Sequence, residues 1–398
     1  MIGLLMGIWF ALQLAGAQAQ PDSAQAHLKR AAADQRKSDY QRAIAELRQA
    51  LALQPDLRDA HGMLGEILLA QGFAQEAIPH LETAGHVYSQ ALALIEVNRL
   101  PEALRKLLAV YAERPDDPEV LFHLGESCGM LMQQAFNRLL RLHPDSARAQ
   151  ELTRTGQRQE QGDRPEVKAL GELLAQYDEH RDDPEVLFRL GEGSRKIMQP
   201  AFNRLMRFHP GSARAQELQA RTWLGQGRGA LAEPAFRKAL EMNPSLPGIH
   251  LALGRILLEG RGDLDGAEKE FRAEVRLRPG NAEAAWRLGS VLLKKGQGKD
   301  ALIELQQSDK LKPDMLETLL DLGKAYLAEN QIAEAEKAYR RIIDLDDQDE
   351  LAAAAHLQLS QIYRKLGKTA EAEQHLKRFR ELNPPKDPQD GQNRNPGL

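Results

Sequence analysis

The sequence predicts an all-α protein built as an array of helical hairpins, and three observations point there. Of the 398 residues, 28% are charged and only 5% aromatic, with Ala, Leu, Glu, Arg and Gln prominent. That mixture favours helix and is poor in β-branched residues, and long alternating Val/Ile/Thr runs are missing, so no sheet is expected. A long internal duplication is the second observation. "PDDPEVLFHLGE" (Pro115 to Glu126) returns as "RDDPEVLFRLGE" (Arg181 to Glu192), and "QQAFNRLLRLHPDSARAQEL" (Gln133 to Leu152) as "QPAFNRLMRFHPGSARAQEL" (Gln199 to Leu218), at an offset of 66 (182 − 116). The third is a shorter period of about half that length. Small residues at Ala31, Gly65, Ala91, Ala220, Gly289, Gly323 and Ser360 are matched, at a constant spacing of 12 (43 − 31), by Ala43, Ala77, Ala103, Ala232, Ala301, Ala335 and Ala372. Proline follows after the same spacing again at Pro55, Pro115, Pro244, Pro313 and Pro384.

From the N-terminus, Met1 to Gln20 carry no charge and end in Ala17-Gln18-Ala19, a small-x-small pattern. Residues 1–19 are therefore expected to be a secretory signal peptide, or a short uncleaved membrane anchor, although no Lys or Arg forms a positive leading region. The periodic part follows. Antiparallel helices approach closely where side chains are small, while Leu288, Leu292 and Leu305, or Leu322, Tyr326 and Tyr339, fill the space around the crossing. Gly227, Gly296 and Gly367 end first helices, and each proline marks the turn into the next unit. Trp223 and Tyr326 take packing positions and are expected in the core.

At these residues the chain resembles the tetratricopeptide-repeat (TPR) family, with about eleven units in 20–386: 24–57, 58–83, 84–117, 118–147, 148–183, 184–212, 213–246, 247–281, 282–315, 316–349 and 353–386. The resemblance implies a right-handed α–α superhelix with a concave surface lined by first helices, the default binding face. Shortened units predict local irregularity between about Gly85 and Pro210. The tail 387–398, rich in Pro, Asn, Asp and Gly, is expected to be disordered.

Function classes narrow accordingly. A net charge of −4 gives no basic face for nucleic acid. The 11 histidines show no metal-ligand spacing, and the Gly225–Gly229 and Gly296–Asp300 stretches lack phosphate-loop spacing. The acidic run Asp344–Glu350 lacks the glycine and closing glutamate of a calcium loop, and Arg261-Gly262-Asp263 reads as turn chemistry. The lone Cys128 is expected in the core. No catalytic, cofactor or metal residues are expected, nor a small-molecule substrate, and membrane contact only through the N-terminal segment.

Projecting helix positions places Phe122, Phe188 and Trp286 on the concave wall, with Arg189, Arg221, Arg255, Arg287 and Lys324 near them. Arg and aromatic groups suit a groove for an acidic peptide segment. The two-carboxylate clamp of some TPR proteins is not carried over, because Phe122, Phe188, Glu217, Leu251 and Leu320 hold its places. The expected function is a non-enzymatic protein–protein interaction scaffold of the bacterial cell envelope, periplasmic or secreted. The alternative is a self-associating array or an accessory subunit of an envelope assembly, secretion or polysaccharide-export complex.

Overall fold

A computed structural model describes residues 23–150 and 165–383. The expected signal segment 1–19 and tail 387–398 lie outside the described residues, as do residues 151–164 of the expected unit 148–183. The described residues form helices and no strand. The chain divides into two compact units, 1–222 and 223–398. The first contains α1 (Ala24–Arg36), α2 (Tyr40–Leu53), α3 (Arg58–Ala70), α4 (Ala74–Ala84), α5 (Val87–Glu96), α6 (Leu100–Glu113), α7 (Pro118–Leu142), α8 (Pro165–Glu179) and α9 (Pro184–Phe208). Helix α10 (Ala213–Gly225) runs across the boundary. The second holds α11 (Gly229–Met242), α12 (Ile249–Arg261), α13 (Leu264–Leu277), α14 (Ala282–Lys294), α15 (Gly298–Leu311), α16 (Leu316–Ala328), α17 (Ile332–Leu345), α18 (Glu350–Lys365) and α19 (Thr369–Leu382).

In the second unit each helix packs on its sequence neighbours, α12 on α13, α14 on α15, α16 on α17 and α18 on α19, with each hairpin stacked on the next. This is an α-solenoid, the architecture in which one hairpin buries its apolar face only against its neighbours. The turn inside each hairpin requires one left-handed residue. Gly296 takes it with φ 76° and Gly367 with φ 74°, whereas Asn330 adopts φ 59°, which an asparagine tolerates. The closing bonds are regular: the Gly296 N–H donates to Leu293 O at 2.9 Å and the Gln297 N–H to Leu292 O at 2.9 Å.

The small residue of each first helix makes room for a large one from the second. A Cβ on Gly254 would lie 2.4 Å from the Phe271 ring, on Gly289 2.6 Å from Leu305, and on Gly323 2.4 Å from Tyr339. Phe271, Tyr339 and Tyr363 are fully buried in one continuous core. Trp223 and Tyr326 are only half-buried, which corrects their expected core placement. The Tyr326 hydroxyl stays near the surface, where it accepts from Gln306 Nε2 at 3.1 Å.

The first unit opens with the same hairpins, α1–α2, α3–α4 and α5–α6, and then departs from them. The expected units 118–147 and 184–212 are not hairpins: α7 and α9 each run unbroken for 25 residues. Both start alike, from an Asp N-cap with proline in the first turn. Asp117 Oδ1 accepts from the Glu119 and Val120 N–H groups at 2.9 and 3.2 Å, and Asp183 Oδ1 from Glu185 and Val186 at 2.8 and 3.0 Å. The duplicated "DDPEV" is therefore a helix start. The two copies then lie against each other as the largest helix pair of the unit. Cys128 is buried in this core, and burial pushes its thiol well above the ordinary range.

Candidate partner-binding surface

Four of the expected wall residues come together in the second unit. Arg255 lies on α12, Trp286 and Arg287 on α14, and Lys324 on α16, so three successive first helices contribute to one row. Trp286 is half-buried; its indole N–H donates to Asp321 Oδ2 at 3.0 Å, and the Arg287 guanidinium sits 4.7 Å from its ring centroid. Arg287 pairs with Glu283 at 2.9 Å and reaches Glu259 of α12 at 3.7 Å. Arg255 pairs with Glu259 at 3.5 Å, and Lys324 with Asp321 at 2.7 Å. Beside the row, Glu283, Trp286 and Arg287 line a cleft of about 530 Å³ with Lys312 to Glu317, the turn that enters α16.

The row therefore alternates in sign. Three cations expected to face a partner already meet Glu259, Glu283 and Asp321, acids that the projection of helix positions overlooked. Their signal was present in the sequence: Arg255 and Glu259, and Glu283 and Arg287, stand four apart, and Asp321 and Lys324 three apart, the spacings at which helical side chains meet.

The other four residues, all in the first unit, do not form an open wall. Phe122 is buried (1% exposed), which corrects its placement as a surface aromatic; Arg214 and Arg221 cover its ring at 4.7 and 5.9 Å. Phe188 is half-buried beneath Arg148 at 4.6 Å. Arg189 is exposed, with Gln176 Oε1 at 3.5 Å. Arg221 is exposed but already engaged: it donates to Glu217 at 2.8 Å and lies 3.2 Å from Glu126. Arg214 bonds Glu119 and Glu217, each at 2.8 Å, and lies 3.0 Å from His123 Nε2. Burial pulls the Arg214 pKa down, but the Glu217 and Glu119 carboxylates outweigh it and hold it above the usual value.

Turns singled out in the sequence have structural work. Asp263 caps α13, its Oδ1 accepting from Gly266 N–H at 2.9 Å, and Arg261 pairs with Glu233 at 2.6 Å. Within the acidic run, Asp349 caps α18 and Asp347 meets His356 Nε2 at 2.7 Å and Arg378. Among the described residues no group of three or more His, Cys, Asp or Glu is placed to hold a metal ion, and no helix is long and apolar enough to cross a membrane.

Paired helices at a period near 34 (323 − 289), stacked through buried small residues, define a helical-repeat protein. The tetratricopeptide repeat profile matches residues 28–84, 199–247, 249–315 and 320–389, more than half of the chain. The chain belongs to the tetratricopeptide repeat family. A curated relative, DnaJ homolog subfamily C member 3 of Rattus norvegicus, is 33% identical over 110 residues, 28% of this chain and 22% of that protein. The chain thus aligns with under a quarter of the curated relatives' length. Among solved structures, a MamA fragment from Desulfovibrio magneticus RS-1 is 24% identical with a TM-score of 0.41, covering 44% of this chain and 97% of that one. YrrB, described as a TPR protein with an unusual peptide-binding site, is 21% identical with a TM-score of 0.42, covering 47% and 94%.

Proposed function

We propose that the protein is a non-enzymatic interaction scaffold whose second unit seats a partner segment against the Trp286 row. One observation carries this reading: a half-exposed indole is fixed on both sides, by Asp321 at its N–H and Arg287 on its face, at the rim of a cleft. A rigid aromatic held in place offers contact area at little entropic cost, the usual property of a binding anchor. Because Arg255, Arg287 and Lys324 are already matched by acids, the fitting partner is a segment of mixed charge with an apolar side chain for the cleft, rather than a purely acidic one. Full-length protein and a Trp286→Ala/Arg287→Glu variant, used side by side in affinity capture and titrated against each captured partner, test this. We expect at least a tenfold loss of affinity, about 1.4 kcal/mol; a variant that keeps every partner at unchanged affinity overturns the assignment.

We further propose that the scaffold works after export, in the periplasm or outside a bacterial cell. The uncharged Met1–Gln20 segment ending in Ala17-Gln18-Ala19 supports this. N-terminal sequencing of the protein from its native host should begin at Gln20, and a sequence beginning at Met1 in a soluble fraction removes the export reading.

A further inference from the structure

Helices α7 and α9 are two copies of one sequence, and they pair with each other. Their contacts occur twice, related by the offset of 66 (182 − 116) between the copies. A Cβ on Gly125 would lie 2.3 Å from the Phe202 ring, and one on Gly191 2.1 Å from the Phe136 ring. Arg138 pairs with Asp182 and Arg204 with Asp116, each at 2.6 Å. The His143 Nε2–H donates to Asp182 O at 2.5 Å, and the His209 Nε2–H to Asp116 O at 2.6 Å. Arg148 reaches Glu185 at 2.7 Å and Arg214 reaches Glu119 at 2.8 Å, each stacked on the phenylalanine of the long helix it meets.

Facing residues therefore sum to 327 (125 + 202, 136 + 191, 129 + 198). A local two-fold axis passes between residues 130 and 131 of α7 and residues 196 and 197 of α9. A surface of this kind is isologous: what complements it is another copy of itself. Each long helix is also a hairpin that lost its turn. The spacing from Gly289 to its hairpin-mate Ala301 is 12 (301 − 289), but from Gly125 to Ala135, and from Gly191 to Ala201, it is 10 (135 − 125). Without a turn the second half of each copy cannot fold back on its own first half. It lands on the other copy, an exchange of equivalent elements within one chain.

We propose that this seam is an association surface for a second copy of the chain, with α7 of one molecule seated on α9 of the other and reciprocally, closing a two-fold dimer. The residues that differ between the copies select this pairing. Around the axis α7 reads Ser127 to Met132, "SCGMLM", and α9 reads Gly193 to Met198, "GSRKIM". Gly129 leaves room for Met198, whose Sδ would lie 2.9 Å from an added Cβ. Arg195 replaces that glycine in α9, with Lys196 next to it, so α9 paired with α9 fills the gap and brings two Lys196 chains to one axis. Within a chain, covalent connection through residues 143–183 keeps α9 near α7 at any protein concentration. The intramolecular seam accordingly prevails in dilute solution, and exchange grows as chains refold together at higher concentration.

Complementary pairs of full-length chains decide the matter. One chain carries Gly125→Ala and Gly191→Ala, which clash with both phenylalanines; the other carries Phe136→Ala and Phe202→Ala, which leave both cavities. In the exchanged dimer every seam matches, since each introduced alanine meets an introduced alanine and each remaining phenylalanine meets a glycine. After joint unfolding and refolding, differently tagged chains should co-purify in equal amounts at double the monomer mass by light scattering. Neither chain refolded alone should give that species, even where the glycine variant fails to fold by itself. A single chain carrying all four substitutions should return to a helical monomer, and the unsubstituted chain should show a dimer fraction that rises with refolding concentration. Mixtures that contain only the separately refolded species, or a four-substitution chain that does not refold, overturn the proposal.

Discussion

Glu217 has no exposed side-chain surface, and its charge is held by two guanidiniums, Arg214 at 2.8 Å and Arg221 at 2.8 Å. Arg214→Met takes one of these two partners and leaves Arg221 on Glu217, so the charge is not fully stranded and the cost is that of a partly satisfied buried group, about 1–3 kcal/mol. We expect Arg214→Met to lower the unfolding free energy of the first unit by that amount in urea titration, and Arg214→Met/Glu217→Leu to recover most of it. A single variant within about 1 kcal/mol of the parent removes the network from the list of structural features. Two ring pairs, His61 with His80 and His356 with His375, each bring Nδ1 atoms to 2.7 Å. Burial first, and then the neighbouring His61 or His356, hold His80 and His375 below their ordinary 6.5. Arg48 adds to the effect on His80 and Glu76 opposes it; Arg340 adds to it on His375, opposed by Glu336 and Asp347. The unfolded chain therefore binds more protons as pH falls through 6.5, so stability present above that value is lost below it. Thermal melting should shift downward between about pH 7.5 and 5.5, and His80→Asn/His375→Asn should flatten the slope. An unchanged melting temperature in the parent across that interval removes the titration from the stability of these hairpins.

At the scale of elements, the glycines separate into two kinds with different consequences. Gly323 sits against Tyr339, so Gly323→Ala must displace a fully buried ring and should cost about 1–3 kcal/mol. Gly296 faces open space but holds φ 76°, so Gly296→Ala meets only backbone strain of about 1–2 kcal/mol. Combining Gly296→Ala with Asn330→Gly tests the distinction, since glycine at φ 59° relieves strain at an equivalent turn and should offset part of the loss. Urea midpoints in which Gly323→Ala is the milder change contradict this account. The hairpins were legible in the sequence because their determinants are local: a glycine such as Gly289, its matching Ala301, and the left-handed Gly296 between them. The crossed helices were not, because each finds its partner in the other copy of the duplication. Their one local signal was the spacing of 10 (135 − 125) from Gly125 to Ala135, which reads as a shortened junction unless one asks whether so short a spacing still leaves a turn. The wall residues divided on the same physics. Trp286 and its neighbours lie on successive first helices of regular hairpins and share one row, while Phe122 lies on α7, whose environment is supplied by Arg214 from the far end of the duplication.

At the scale of the whole molecule, the two units differ in how far apart in sequence their contacts lie. Every hairpin of the second unit closes through one short turn and stacks on its sequence neighbours. The first unit cannot complete its core until α7 and α9 meet, with residues 143–183 between them. Contacts of long sequence separation must overcome loop-closure entropy before they stabilise anything, and folding slows accordingly. Refolding should therefore resolve into two phases that spectroscopy can assign, because two of the three tryptophans, Trp223 and Trp286, belong to the second unit and the third is Trp9. In a Trp9→Phe/Trp223→Phe background, which leaves Trp286 as the reporter, tryptophan fluorescence should recover in the fast phase, while far-ultraviolet circular dichroism should show both phases. Phe136→Ala/Phe202→Ala removes the rings that fill the Gly191 and Gly125 gaps, and should change the rate or amplitude of the slow phase alone. Coincident traces, or a fluorescence phase that moves with those two substitutions, would show that the chain folds as one cooperative block and that the long-range seam does not set the pace.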